Sequence, residues 1–262
     1  MMQKVKPKKH LGQHFLVDQQ IAKNIVDLVA LPGSTTAVLE IGPGMGVLTK
    51  YLIQDPRLEL SVIDIDAESI AYLYAHFPAL AGRILQADFL KMDLGAAFPG
   101  PVSIIGNFPY NISSQIFFKV LTHRQQVTEV VCMLQKEVAE RIAAPPGSKV
   151  YGILSVLLQA FYHIEYKFTV PPHVFDPPPK VNSGVIRLER NQTQALDCDE
   201  KKFFEVVKLS FGTRRKTLRN CLKPYQLPES VTRQEIFDKR AEQLSVADFV
   251  HLTQMVQTHQ NT

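Results

Sequence analysis

Five short strand-like segments, 37–41, 60–65, 83–87, 102–105 and 129–134, restrict the fold of this chain more than any other feature. Helical patterns separate most of them, and such alternation predicts a parallel sheet covered on both faces. Residues 151–161 read as a further helix. Residues 164–170 and 181–188 read as a closing pair of strands, joined by the Pro-rich loop 171–179. Ahead of the sheet, Asp18 is placed to cap a helix with Ile21, Ile25, Leu28 and Val29 on one face, ended by Pro32-Gly33. The expected architecture is α/β and Rossmann-like, with a mostly parallel seven-stranded sheet.

Beyond about Glu189 the sequence turns polar and helix-forming. Residues 201–224 hold Lys201, Lys202, Lys208, Arg214, Arg215, Lys216, Arg219 and Lys223 against the single acid Glu205. Phe203, Phe204, Leu209, Phe211, Leu218 and Leu222 are available for a small core. We therefore expect a first domain over 1–189 and a small all-helical domain over 190–262, with a basic face suited to binding phosphates. Residues 1–10, carrying Lys4, Lys6, Lys8, Lys9 and His10, read as a flexible basic arm.

Composition narrows the class. A hydrophobic content of 45% and a charged content of 21% are ordinary for a soluble globular protein. The net charge of +4 is mild, so the placement of basic residues matters more than their total. Cys132, Cys198 and Cys221 are widely spaced with no Cys-x-x-Cys pair, which argues against a disulfide framework and a thiolate zinc site, so no metal is expected. No run approaches the roughly 18 apolar residues of a membrane span, and no apolar segment of the secretory kind follows the basic N-terminus. A cytoplasmic monomer is the expectation.

The segment Glu40-Ile41-Gly42-Pro43-Gly44-Met45-Gly46 stands where the first strand turns into a helix, and Asp64 ends the second strand. Glycines that admit close backbone approach, with an acid for ribose hydroxyls, mark a nucleotide-cofactor site. A dinucleotide fits poorly, because Val47 occupies the place of the third glycine of that fingerprint. Glu40 would also repel a pyrophosphate, by roughly 4 kcal/mol at 4 Å and an effective dielectric of 20. A sulfonium cofactor with an ammonium group reverses the sign, so S-adenosylmethionine is expected. Asp88, after the third strand, is placed to accept from its adenine amino group while Phe89 covers the ring.

Asn107-Phe108-Pro109-Tyr110 follows the fourth strand. The Asn amide matches the amino edge of adenine, Tyr offers a stacking face, and Pro removes a donor and fixes its own φ. Alone, the tetrapeptide reads equally well as a capped turn. Beside a methyl-donor pocket it reads as a grip on an extruded adenine.

With these motifs assembled, the chain resembles the ribosomal RNA adenine N6,N6-dimethyltransferases along nearly its whole length. The resemblance rests on 12–16, 40–46, Asp64, Asp88, 107–113, 171–184 and 211–220. Within the last segment, Arg214 to Asn220 points to the branch acting on 16S ribosomal RNA in the small subunit or its precursor. The resemblance implies a class I methyltransferase fold and dimethylation of two adjacent adenosines. It makes His14, Leu16, Gly42, Asp64, Asp88 and Asn107 cofactor contacts, Asn107 to Tyr110 the base grip and Phe175 a second aromatic wall. His14 stands where the family more often has Asn, and Phe108 where Leu is frequent. Arg141, Arg214, Arg215, Lys216 and Arg219 are candidate phosphate contacts. Three other readings stay open here: a large-subunit adenine methyltransferase of the macrolide-resistance type, a non-catalytic assembly factor on the same fold, and a DNA adenine methyltransferase.

Overall fold

In the computed structural model, residues 5–30, 36–213 and 215–260 are described. Lys4, the predicted Pro32-Gly33 helix stop and Arg214 lie outside the described residues. Among the described residues the strands are β1 (Phe15–Leu16), β2 (Thr36–Ile41), β3 (Leu58–Asp64), β4 (Ile84–Gln86), β5 (Val102–Asn107), β6 (Val127–Gln135), β7 (Tyr162–Val170), β8 (Phe175–Asp176) and β9 (Ser183–Arg190). The α-helices are α1 (Gln19–Val26), α2 (Thr49–Leu52), α3 (Ala67–His76), α4 (Leu94–Ala97), α5 (Ser113–Thr122), α6 (Lys136–Ala143), α7 (Ile153–Gln159), α8 (Glu200–Gly212), α9 (Leu218–Cys221), α10 (Glu229–Thr232) and α11 (Val246–Gln260).

Seven strands make the main sheet in the order β4-β3-β2-β5-β6-β9-β7. The pairings from β4 through β6 are parallel, and β9 runs antiparallel to β6. Val102 to Gly106 of β5 are all buried, as expected of a central parallel strand. The chain order reverses between β2 and β5, so the ends of Ile41, Asp64 and Asn107 converge at one edge. Open α/β sheets bind ligands at such a switch point. The seven predicted strands agree in place and differ at their ends by at most two residues.

Four helices begin on aspartates whose carboxylates accept from a backbone N–H of the first turn: Asp18 from Ile21, Asp66 from Glu68, Asp93 from Ala96 and Asp199 from Lys202. The Asp18 cap was legible in sequence, but α1 ends at Val26, short of Leu28 and Val29. A buried acid, Glu129, sits under that end. It accepts from the Ala30 N–H at 3.1 Å and from Arg187 at 2.7 Å, which satisfies a charge that would be costly alone.

Two compact units emerge: residues up to 139 with 164–190, and 140–163 with the chain from 191 onward. Thus the helix read at 151–161, observed as α7, groups with the C-terminal helices, which no composition shift announces. In that second unit α8 buries Phe203, Val206, Val207 and Ser210, joined in burial by Leu218, Leu222, Phe237, Phe249 and Leu252. Phe204, Leu209 and Phe211 are only half-buried, because the helical turn places Val206 and Val207 on the inner face instead.

The basic arm differs from expectation. Val5 is buried at 5% exposure, residues 9–11 form a 3-10 turn, and Lys8 Nζ pairs with Asp66 and, at 3.2 Å, with Glu68. Gln13 Nε2 donates to the other Asp66 oxygen at 3.1 Å, and the Lys8 N–H donates to Gln13 Oε1. The segment from Val5 onward is therefore held, and the charge of Lys8 is spent inside the fold.

Candidate active site

One cavity opens where β2, β3 and β5 end. Leu11 to Phe15, Gly42, Gly44, Ile63 to Ile65, Ala87 to Leu90 and the whole stretch Asn107 to Ile112 line it. The predicted residues His14, Gly42, Gly44, Asp64, Asp88, Phe89, Asn107, Phe108, Pro109 and Tyr110 are thus brought together. Among the described residues no lysine or arginine lines the cavity, while the carboxylates of Asp64 and Asp88 do.

Backbone geometry explains the glycine loop. Gly44 has φ of 54°, and a Cβ there would stand 2.7 Å from the Phe15 ring, so only glycine admits both the conformation and that wall. Asp64 is 8% exposed, and its Oδ1 accepts from the Asp66 N–H at 2.9 Å. Burial pushes its carboxyl upward, offset in part by backbone hydrogen bonds from Asp66, Gly44 and Ile65. At Asp88, Oδ1 accepts from the Leu90 N–H at 2.9 Å and Oδ2 lies 3.7 Å from Lys91 Nζ. Phe89 is buried beside it.

The Asn107 loop is anchored on every side. Asn107 Nδ2 donates to the His14 carbonyl at 2.8 Å, which fixes the side of the amide that carries its acceptor oxygen. The Phe108 N–H donates to the Met133 carbonyl, and the buried Phe108 ring packs edge-on against Phe117 at 6.0 Å. The Tyr110 hydroxyl bonds Ser183 Oγ at 2.6 Å while its ring stacks on His14 at 5.5 Å. His14 Nδ1 meets the Pro177 carbonyl at 2.8 Å. Its ring is thus engaged by the protein itself.

Several expected residues stand elsewhere. Leu16 and Phe175 pair between β1 and β8, are each 3% exposed, and belong to the core rather than the cavity lining. A short edge-strand pair was not anticipated, so an aromatic that resemblance made a wall became core. Glu40 is 1% exposed, is not part of this cavity's lining, and accepts from Thr49 Oγ1 at 2.6 Å. Burial pushes its pKa from 4.5 to about 8, so it is mostly neutral near pH 7 and the repulsion of an anion falls to Asp64 and Asp88 instead. Arg141 is half-buried against Gly152 in the second unit, and Arg215, Lys216 and Arg219 are exposed there. Arg219 forms a 2.7 Å pair with Asp238. Sequence reasoning missed Gln13, Ser183 and Phe15 as individual supports, although all three fall within quoted motifs.

The raised Glu40 pKa has a measurable consequence. Its folded value exceeds its unfolded one, so the stability this group contributes is full below about pH 4.5 and is lost as pH rises through about 8. Glu40→Gln is expected to flatten that decline, read by thermal melting of the ligand-free protein across the interval.

The lining fits a cationic adenosyl cofactor: a close-approach glycine turn, two carboxylates at the ends of neighbouring strands, a buried ring beside one of them and, among the described residues, no lysine or arginine to hold a pyrophosphate. The family model for ribosomal RNA adenine dimethylase matches residues 4–258. A ribosomal RNA small subunit methyltransferase A of Cytophaga hutchinsonii is 62% identical over 255 residues, covering 97% of this chain and 99% of that protein. A dimethyladenosine transferase from Plasmodium falciparum is similar in structure, with a TM-score of 0.77, 26% identity, and coverage of 94% and 98% of the two chains. The 23S rRNA methyltransferase ErmE shares the fold at a TM-score of 0.67 and 23% identity, covering 93% and 99%. Motifs, sheet order and full-length similarity agree, and the chain belongs to the ribosomal RNA adenine dimethylase family, whose cofactor is S-adenosylmethionine.

Proposed function

We propose that this protein transfers methyl groups from S-adenosylmethionine to N6 of two adjacent adenosines near the 3′ end of small-subunit (16S) ribosomal RNA, giving N6,N6-dimethyladenosine during ribosome biogenesis. The observation that carries the reading is the Asn107 amide, locked by the His14 carbonyl at a cavity lined by two carboxylates and no cation. When bound, the cofactor supplies an electrophilic methyl group on a sulfonium. Asn107 Oδ1 and the Phe108 carbonyl accept the two N6 hydrogens, drawing that poor nucleophile toward tetrahedral geometry and in line with the methyl. Tyr110 stacks on the extruded base, a contribution of about 1–3 kcal/mol that offsets the few kcal/mol of extrusion. Ser183 keeps the Tyr110 ring from turning. After transfer N6 is cationic and acidic, and its proton leaves to water.

Stacking and extrusion nearly cancel, so RNA affinity rests on phosphate contacts. Lys9, Arg141, Arg214, Arg215, Lys216 and Arg219 are our candidates, the last four within a helical RNA-binding domain over 190–262. Among the described residues no helix is long and apolar enough to cross a membrane. We read the protein as a cytoplasmic monomer. Affinity for small-subunit particles is expected to fall steeply between low and moderate salt, and a flat response in filter binding would overturn the phosphate assignment. The activity is tested by transfer of labelled methyl to purified small and large subunits lacking the modification. Dimethyladenosine in the small subunit alone supports the reading, and label only in the large subunit overturns it.

A further inference from the structure

Lys119 is the one cation in the buried stretch Ile116, Phe117, Val120 and Leu121 of α5. A helix packed on a sheet has no need of an ammonium there, and an aliphatic residue would cost less to bury. The side chain reaches away from its own helix to the turn after β4. Its Nζ donates to the carbonyl of Leu90 at 3.1 Å and to that of Met92, and lies 5.5 Å from the centroid of the Phe89 ring. Burial lowers its pKa, while Asp93 and Asp88 nearby favour its charge.

Residues 87–93 belong to neither strand nor helix. The segment is tied at its ends by the Ala87 N–H to the Asp64 carbonyl and by the Asp93 cap of α4, and Phe89 is buried. Between those ends its backbone bonds are local: the Lys91 and Met92 N–H groups to the Asp88 carbonyl, the Met92 N–H to the Phe89 carbonyl and the Leu90 N–H to Asp88 Oδ1. Ala87, Asp88, Phe89 and Leu90 line the cavity, whereas Lys119 does not. One ammonium therefore ties two carbonyls and a ring of the segment that presents the Asp88 carboxylate, from behind the cavity wall.

We propose that Lys119 is a positioning residue for the cofactor's adenine, setting the Asp88-Phe89-Leu90 turn so that the Asp88 carboxylate meets the 6-amino group and Phe89 covers the ring. This rests on the S-adenosylmethionine reading of the cavity. It places specificity for adenine partly in a residue that touches no ligand, in the way outer contacts orient the groups that do bind. Arginine would keep the charge and the donors, and methionine would keep only the packing volume.

The test uses the full chain and two probes, S-adenosylhomocysteine and its hypoxanthine counterpart S-inosylhomocysteine, whose 6-oxo group cannot donate to Asp88. In calorimetry Lys119→Met is expected to weaken S-adenosylhomocysteine binding by about tenfold, as befits losing a charge-assisted support. Binding of the inosine compound should change little, so discrimination between the two shrinks. Lys119→Arg should restore most of it, and turnover at saturating cofactor should stay within a few-fold in both variants. Unchanged S-adenosylhomocysteine affinity in Lys119→Met overturns the inference. So does an equal loss for both compounds, which marks general loosening. Should Lys119→Met fail to fold, Lys119→Gln against Lys119→Arg gives the same comparison. If the unaltered chain binds neither compound, the cofactor reading falls and this inference with it; if it binds and discriminates, only the variants decide.

Discussion

Asn107→Ala is expected to lower the rate of methyl transfer roughly 10²–10³-fold, the usual cost of removing one group aimed at developing charge. Cofactor affinity should stay within a few-fold, because Gly42, Gly44, Asp64 and Asp88 remain in the cavity wall. The reason lies in the Asn107 amide itself. Its nitrogen is spent on the His14 carbonyl, so its oxygen is oriented before any substrate arrives and pays little entropy when N6 does. Alanine removes the acceptor for N6 and the tie to residue 14 together. Single-turnover methylation paired with calorimetric binding of S-adenosylhomocysteine separates the two effects. Unchanged turnover would sink the assignment, and a collapse of cofactor binding would show that Asn107 mainly holds the 11–15 segment over the cavity.

Gly106→Ala should damage the protein at the level of folding. Gly106 sits in β5 beside β2, and a Cβ built there would stand 2.4 Å from the Ile41 carbonyl oxygen. That neighbour is backbone in the centre of a sheet, so it cannot swing aside. The strands must part, at a cost on the order of 1–3 kcal/mol or more for overpacking a core. Because Ile41 leads into Gly42 and Gly106 into Asn107, the same displacement separates the cofactor turn from the adenine grip. A melting temperature lower by several degrees, with weaker S-adenosylhomocysteine binding, is the expected result. A variant as stable and as tightly binding as the unaltered chain would mean that the two strands yield more easily than their burial implies.

Much of this was legible in residues alone. Apolar runs report strands because a strand buried on both faces must be apolar on both, and the acids at their ends stood out against that background. Asp64, Asp88 and Asn107 were found that way, and the ends of β3, β4 and β5 bring them to one cavity. The Asp18 cap was equally plain, since capping is a local hydrogen bond within three residues. Local signals failed where burial decided the outcome. Glu40 carries a charge in sequence, yet enclosure at 1% exposure beside Thr49 leaves it mostly neutral near pH 7. Phe175 looked like a ring for a base, yet pairing with Leu16 across 159 residues of chain turned it into core.

The sequence by itself determined the strand and helix periods, the glycine turn and the chemical kinds of group at the strand ends, because each depends on neighbours close along the chain. Only the tertiary structure decided which of those groups share a cavity, that the N-terminal segment is fastened through Lys8 and Gln13 to Asp66, and that Lys119 reaches the turn behind Asp88. Those are contacts between residues 27 to 58 positions apart or more, and their energy depends on burial and geometry that no local pattern encodes.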